Sequence, residues 1–309
     1  MGGSGSGGSI DPSEISRKVR QAEEQAQDQG FDSKINDEIN NLLKDFNDRD
    51  YEAIQRHLDH INNTLDSEIE GRIDLRYGGS VSKHTYVDGL SDIDALALIN
   101  NTDLADKTPE EVKQYFFDQL VKRLPGTEIT MGALAITIKY SDGIEVQILP
   151  AIKHGDHFRI PNSKGLNQWS HLINPKAFAV ALRAVNQKMA GKLVPMIKIA
   201  KSIISSLPEK RQLSGYHTEA LAVDIFSKYA GTKTIKEMVK HFFVVASDSV
   251  HNPLQDKTGQ STHVDDYLGN SNSLERKMVS DSLAQIARKM SNADGRQSER
   301  AWDDILDGE

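Results

Sequence analysis

The sequence predicts an α+β fold, a mixed-sheet lobe preceded by helices and followed by a helical lobe. Three observations predict it. Apolar residues recur at helical spacing before residue 70 and again after residue 174, apolar runs between them read as strands, and the runs are punctuated by turn residues. Residues 1–9, MGGSGSGGS, hold only Met, Gly and Ser and read as an appended flexible linker. Residues 10–70 read as N-terminal helices that pack on both lobes. Asp11 caps the first, Pro12 sits in its first turn and Gly30 is expected to close it. In YEAIQRHLDHINNTL, Ile54, Leu58, Ile61 and Leu65 form one apolar stripe that must be covered. Residues 71–165 read as the sheet lobe. IDLRY is a short strand entering a Gly-Gly turn, and ALALIN is a buried strand. TPEEVKQYFFDQLVKRL is a helix whose Thr108 and Glu111 form a capping box, and ALAITIKY and IEVQILPAI are strands around an SDG turn. Residues 166–309 read as the helical lobe. Asn174 caps its first helix, with Pro175 in the first turn and Gly191 past the end. Further helices are expected at 192–206, 215–230, 234–247 and 273–290.

Composition narrows the function classes. The chain has 309 residues, 38% of them hydrophobic, enough for a substantial core. It has no cysteine, which removes disulfides and thiolate zinc sites and suits a reducing compartment. No run approaches the ~18 apolar residues of a membrane span, so a cytoplasmic location is expected. A net charge of −8 argues against a surface coated for duplex binding, though not against a local basic groove.

The chemistry concentrates in RYGGSVSKHTYVDGLSDIDALALIN, residues 76–100. Asp92 and Asp94 are two apart, so on a strand both point to one face while Ile93 faces the core. Two adjacent carboxylates repel unless a cation sits between them, and magnesium suits one or two carboxylates completed by substrate phosphates. Upstream, the Gly78, Gly79, Ser80 turn lets backbone amides approach a phosphate, Ser80 and Ser82 offer hydroxyls, and Lys83 offers a charge. A lone Asp-x-Asp reads as a solvated turn; the combination reads as a nucleoside triphosphate site with its metal.

These residues resemble the nucleotidyltransferases of the DNA polymerase beta type, marked by Gly-Gly/Ser, a spacer and Asp-x-Asp. GGSVSKHTYVDGLSDIDALALI is similar, more closely, to the bacterial cGAS/DncV-like nucleotidyltransferases, which make nucleotide second messengers in CBASS antiphage defence. VPMIKIAKSI, LSGYHTEALAVDIF and DKTGQSTHVDDYLG resemble that family's helical spine, its Ser-Tyr-His segment and its Asp-x-Thr-Gly stretch, so the likeness runs from about residue 35 to 290. It implies a polymerase-beta-like lobe, a C-terminal lobe like that of oligoadenylate synthetase and a cleft between them. It further implies that Asp92 and Asp94 bind two magnesium ions, or manganese, and that Ser80 contacts the triphosphate. Lys201, and with it Lys198, matches a lysine that reaches the triphosphate; solvated surface lysines are the alternative. Tyr216 matches a tyrosine that stacks on a donor base, with Ser214 as a hydrogen-bonding neighbour; a core tyrosine is the alternative.

One departure from the pattern matters. The family places a third carboxylate on the neighbouring strand, commonly three residues before a proline such as Pro150, and that position here is Gln147. Glu145, two residues earlier on the same face, is the candidate third ligand and general base. The alternative is a polar residue beside the SDG turn. Elsewhere, EEQAQDQ reads as a solvated helix face, His84 and His217 as structural, and Trp169 as a hinge anchor between lobes. Asp265 and Asp266 are expected in a polar loop that closes the cleft, not at a metal. The implied activity is magnesium-dependent joining of nucleoside triphosphates into a cyclic or short linear oligonucleotide that activates a separate effector protein. Two other readings stay open: template-independent polymerisation onto a primer or a protein hydroxyl, and a catalytically silent nucleotide-binding sensor favoured by Gln147.

Overall fold

The computed structural model describes residues 12–46, 51–67, 69–77, 83, 85, 93–162, 167–256 and 263–308. The expected turn residues Gly78, Gly79, Ser80 and Ser82, together with His84 and Asp92, lie outside the described residues.

Among the described residues the sheet has six strands: β1 (Asp74–Tyr77), β2 (Ile93–Leu98), β3 (Glu128–Met131), β4 (Ile136–Lys139), β5 (Glu145–His154) and β6 (His157–Arg159), in the order β1-β2-β5-β4-β3 with β6 on β5. β2 and β5 pair in parallel and the other described pairs are antiparallel, so the sheet is mixed as expected. β4 and β5 form the expected hairpin, closed by Gly143 N–H donating to the Tyr140 carbonyl at 3.1 Å. One face of the sheet packs on α2 (Tyr51–Asp66) and α3 (Pro109–Arg123). Ile54, Leu58, Ile61 and Leu65 are all buried there, against Val112, Phe116, Leu120 and the alternate strand residues Ala95, Ala97, Ile138, Val146 and Ile148. Thr108 caps α3 as expected: Glu111 N–H donates to Thr108 Oγ1 at 3.4 Å, and Thr108 N–H donates to Glu111 Oε2 at 2.8 Å. Gly71 leads from α2 into β1 with φ at +108°, and a Cβ there would lie 1.8 Å from the Asn101 carbonyl oxygen. Only glycine passes.

The helical lobe comprises α4 (Pro175–Lys188), α5 (Leu193–Ser205), α6 (Gly215–Ser227), α7 (Ile235–Ser249), α8 (Leu274–Gly295) and α9 (Glu299–Leu306). α5 is buried nearly all round, the mark of a central helix. Asn174 caps α4, accepting from Ala177 N–H at 3.2 Å.

The structure corrects two expectations. Gly30 does not end the first helix, which runs unbroken as α1 (Pro12–Asp45). A helix-interior glycine costs about 1 kcal/mol relative to alanine. Burial of Phe31, Ile35, Ile39, Leu43 and Phe46 in the helical-lobe core outweighs it. Lys236 Nζ adds an anchor, donating to Asp32 of α1 at 2.6 Å and pairing with Asp294 of α8 at 2.7 Å. Trp169, expected between lobes, packs against the sheet-lobe core, and its Nε1 donates to the Lys107 carbonyl at 3.0 Å. The chain stays with the sheet lobe through Ile173, which pairs with Phe158 and packs with Leu98, Ala151 and Ile160.

Candidate functional site

The second face of the sheet changes character along the strands. On β2, Leu98 is buried and Leu96 half-buried within a small apolar cluster; one step further toward the start of the strand, the same face presents Asp94, also half-buried. On β5 the same alternation gives Ala151, Leu149, then Gln147 and Glu145. The register sets Asp94 opposite Gln147, Gln147 opposite Thr137 of β4, and Glu145 opposite Lys139. Neighbouring strands lie ~4.8 Å apart, so Asp94 and Gln147 are direct neighbours, whereas Glu145 lies about 7 Å along its strand from Gln147. The parallel ladder starts at Ile93 and Val146, so Glu145 precedes it.

These are hard oxygen donors, of the kind magnesium takes. Among the described residues, no group of three His, Cys, Asp or Glu gathers to hold a metal. Asp94 supplies a carboxylate and Gln147 a neutral amide oxygen beside it. That set fits a magnesium ion completed by substrate phosphates and does not by itself supply a third charged ligand.

A second cluster joins the lobes. Glu219, on α6, is 1% exposed. Its Oε1 accepts from Lys201 Nζ of α5 at 2.7 Å and from Thr85 Oγ1 at 2.5 Å, and its Oε2 accepts from Lys83 Nζ. Lys201 also donates to the Thr85 carbonyl at 3.1 Å. Burial alone would push the Glu219 carboxyl up, but the charges of Lys83 and Lys201 and the bonds they donate hold it below its ordinary value. The Lys83 ammonium stands 5.2 Å over the Phe178 ring and 5.3 Å over the Tyr216 ring, at cation–π distance. Tyr216 packs edge-on against Phe178, 5.0 Å between centroids, and its hydroxyl donates to Asp256 Oδ1 at 2.8 Å. Lys198 and Lys201 are both buried, so neither is a solvated surface lysine.

Beneath this cluster, at the start of α6, Ser214 is the N-cap and accepts from His217 N–H at 3.2 Å. His217 is fully buried, with Nδ1 3.0 Å from the Tyr267 hydroxyl. Burial pushes its imidazole down to about 4, with Asp265 opposing and Arg276 assisting, so the ring is neutral. Asp265 is buried too and pairs with Arg276 Nη1 at 2.7 Å. His217 and Asp265 thus sit inside the helical lobe, held by Tyr267 and Arg276.

Of the expected site residues, the structure brings Asp94 and Gln147 together, sets Glu145 beyond them, and gathers Lys83, Lys201 and Tyr216 around Glu219. Thr85, Phe178, Asp256 and Glu219 were not expected. Glu219 alone left a signal, a carboxylate inside the apolar run EALAVDIF, where a charge is buried only when paired.

No protein-family model matches the chain, and no curated protein matches it. Solved structures do match. The chain is similar to CdnC of E. coli MS115-1, solved with ATP, at 13% identity over 84% of this chain and 92% of that one, with a TM-score of 0.63. It is similar to the STING-associated CdnE c-di-GMP synthase of Capnocytophaga granulosa at 20% identity, over 78% and 81%, TM-score 0.58. The Vibrio cholerae DncV cyclic AMP-GMP synthase, solved with a linear intermediate, matches at 11% identity over 96% and 89%, TM-score 0.63. The chain therefore has the fold of these proteins, in both lobes.

Proposed function

We propose that this protein is a nucleotidyltransferase that joins nucleoside triphosphates into a cyclic oligonucleotide second messenger. The observation that carries the reading is the two-lobed likeness to CdnC over 84% of this chain, with Asp94 at the polar end of the sheet face. In the proposed reaction a ribose hydroxyl of one nucleotide attacks the α-phosphorus of another. The new phosphodiester bond forms as the bond to pyrophosphate breaks. Asp92 and Asp94 would hold magnesium. When bound, it neutralises the transferred phosphoryl group and the departing pyrophosphate. Glu145 takes the proton of the attacking hydroxyl, because Gln147, next to Asp94, is a neutral amide and no base. Lys83 and Lys201 face the triphosphate with the positive charge their shared carboxylate leaves uncancelled. Tyr216 offers a ring to a nucleobase, with Ser214 at its side. The product would activate a separate effector in bacterial antiphage defence.

The test is incubation with labelled ATP, GTP, CTP, UTP and their deoxy counterparts plus magnesium, beside an Asp92→Asn, Asp94→Asn variant, products resolved by mass. A phosphatase-resistant product from the native protein and none from the variant is the expected result. A second reading, nucleotide binding without turnover, is favoured by Gln147 opposite Asp94. Triphosphate binding with no product under any metal would select it.

A further inference from the structure

We infer that Glu219 is the positioning residue of this site, one buried carboxylate that fixes both Lys83 and Lys201 and ties residues 83 and 85 to the helical lobe. The nucleotide-facing half of this inference rests on the function proposed above; the tie between the lobes does not.

The argument begins with burial. A carboxylate that is 1% exposed must have partners that repay its lost hydration. Both Glu219 oxygens are engaged, and the partners come from two lobes: Lys201 from α5, and Lys83 and Thr85 from the stretch upstream of β2. The sequence separation to Lys83 is 136 residues, so these bonds link parts of the chain that only tertiary packing unites. Among the described residues, the other ion pair across the same junction, Lys176 with Asp156, is exposed on both sides and offers little hold.

The charges do not cancel. Two ammoniums share one carboxylate, and the excess positive charge lies beside the Phe178 and Tyr216 rings, which ease it without neutralising it. Each lysine ammonium has three N–H donors. Among the described residues, the bonds to Glu219 and Thr85 account for one of these on Lys83 and two on Lys201. Glu219 thus holds two cations close together with donor capacity left over, an arrangement that suits a multiply charged anion. Without its charge the two ammoniums repel, and both the spacing and the hold on residues 83 and 85 are lost. Glu219 need not touch the substrate; it acts through the lysines.

Glu219→Gln tests this, since glutamine keeps the size and removes the charge. Two readouts are needed: hydrogen–deuterium exchange in a peptide covering residues 83–98, and calorimetric affinity for ATP and for GTP with magnesium. The expected result is a far-UV spectrum like that of the native protein, exchange at 83–98 at least tenfold faster with α8 unchanged, and nucleotide affinity at least tenfold weaker. Unchanged exchange at 83–98, loosening spread evenly over the molecule, or affinity within twofold of native would overturn the inference. If Glu219→Gln does not fold, Thr85→Val removes one bond and leaves all three charges. It is read the same way, with threefold changes expected and unchanged values counting against the inference. If the native protein binds neither nucleotide, the proposed function falls and the nucleotide half of the inference with it. The exchange measurement then still decides whether Glu219 ties the lobes.

Discussion

The two lobes handle polar groups in opposite ways. On the sheet, Asp94, Gln147 and Glu145 stand half-buried at the polar end of a face whose other end is apolar, positioned by strand register. In the helical lobe, Asp265, Arg276 and His217 are buried and held by one another. Strand register, rather than burial among charged partners, sets where these sheet side chains stand. Buried pairs commit their charges to the fold, and their worth appears as stability and alignment. The difference teaches where substitutions should register: turnover for the sheet face, folding for the Asp265 and Arg276 pair.

The largest expected effect breaks a buried pair. Arg276 donates to Asp265 and to the carbonyls of Val250 and Gly269, so Arg276→Met strands a buried carboxylate. A loss of about 3–5 kcal/mol in unfolding free energy is expected from urea titration. A loss below about 1 kcal/mol would mean the helical interior does not depend on this pairing.

On the sheet face, Glu145→Gln should lower turnover by about 100-fold, the lower range for removing a general base, with unfolding midpoint unchanged. Gln147→Asp in that variant should restore activity by returning a carboxylate beside Asp94. If Glu145→Gln leaves turnover intact, the general-base assignment fails.

The smallest effect is in pH dependence. The folded His217 imidazole lies at about 4, below its ordinary 6.5. Between those values the unfolded chain takes up a proton that the folded protein refuses. Stability should therefore fall as pH drops through 6.5 toward 4, by at most about 1.4 kcal/mol per pH unit from this group. Glu219 acts at lower pH: its depressed carboxyl stabilises the fold above the ordinary Glu value of 4.5, and that contribution fades as pH falls through the folded value. His217→Asn should flatten the upper part of the profile in urea titrations at stepped pH; an unchanged slope would refute the assignment.

Much of the fold was legible because its signals are local. The stripe Ile54, Leu58, Ile61, Leu65, the Thr108 capping box and the β4–β5 hairpin each depend on residues a few positions apart. Gly30 misled because a local helix-stop signal was overridden by packing of Phe31 and Ile35 against another lobe. β3 and β6 were missed because strands of 4 and 3 residues show too little alternation, and α9, with 8 residues, too little periodicity. The candidate site divides the same way. Asp94 and Gln147 could be read from motif spacing, whereas Glu219 and Thr85 meet across 134 residues, which no window on the chain spans.

Gly71 has a genealogical consequence. A side chain at residue 71 would collide with the Asn101 backbone itself, which cannot step aside as a flexible side chain would. Any descendant that keeps this crossing should keep its glycine, making that residue a marker for recognising kin after the rest of the text has been rewritten.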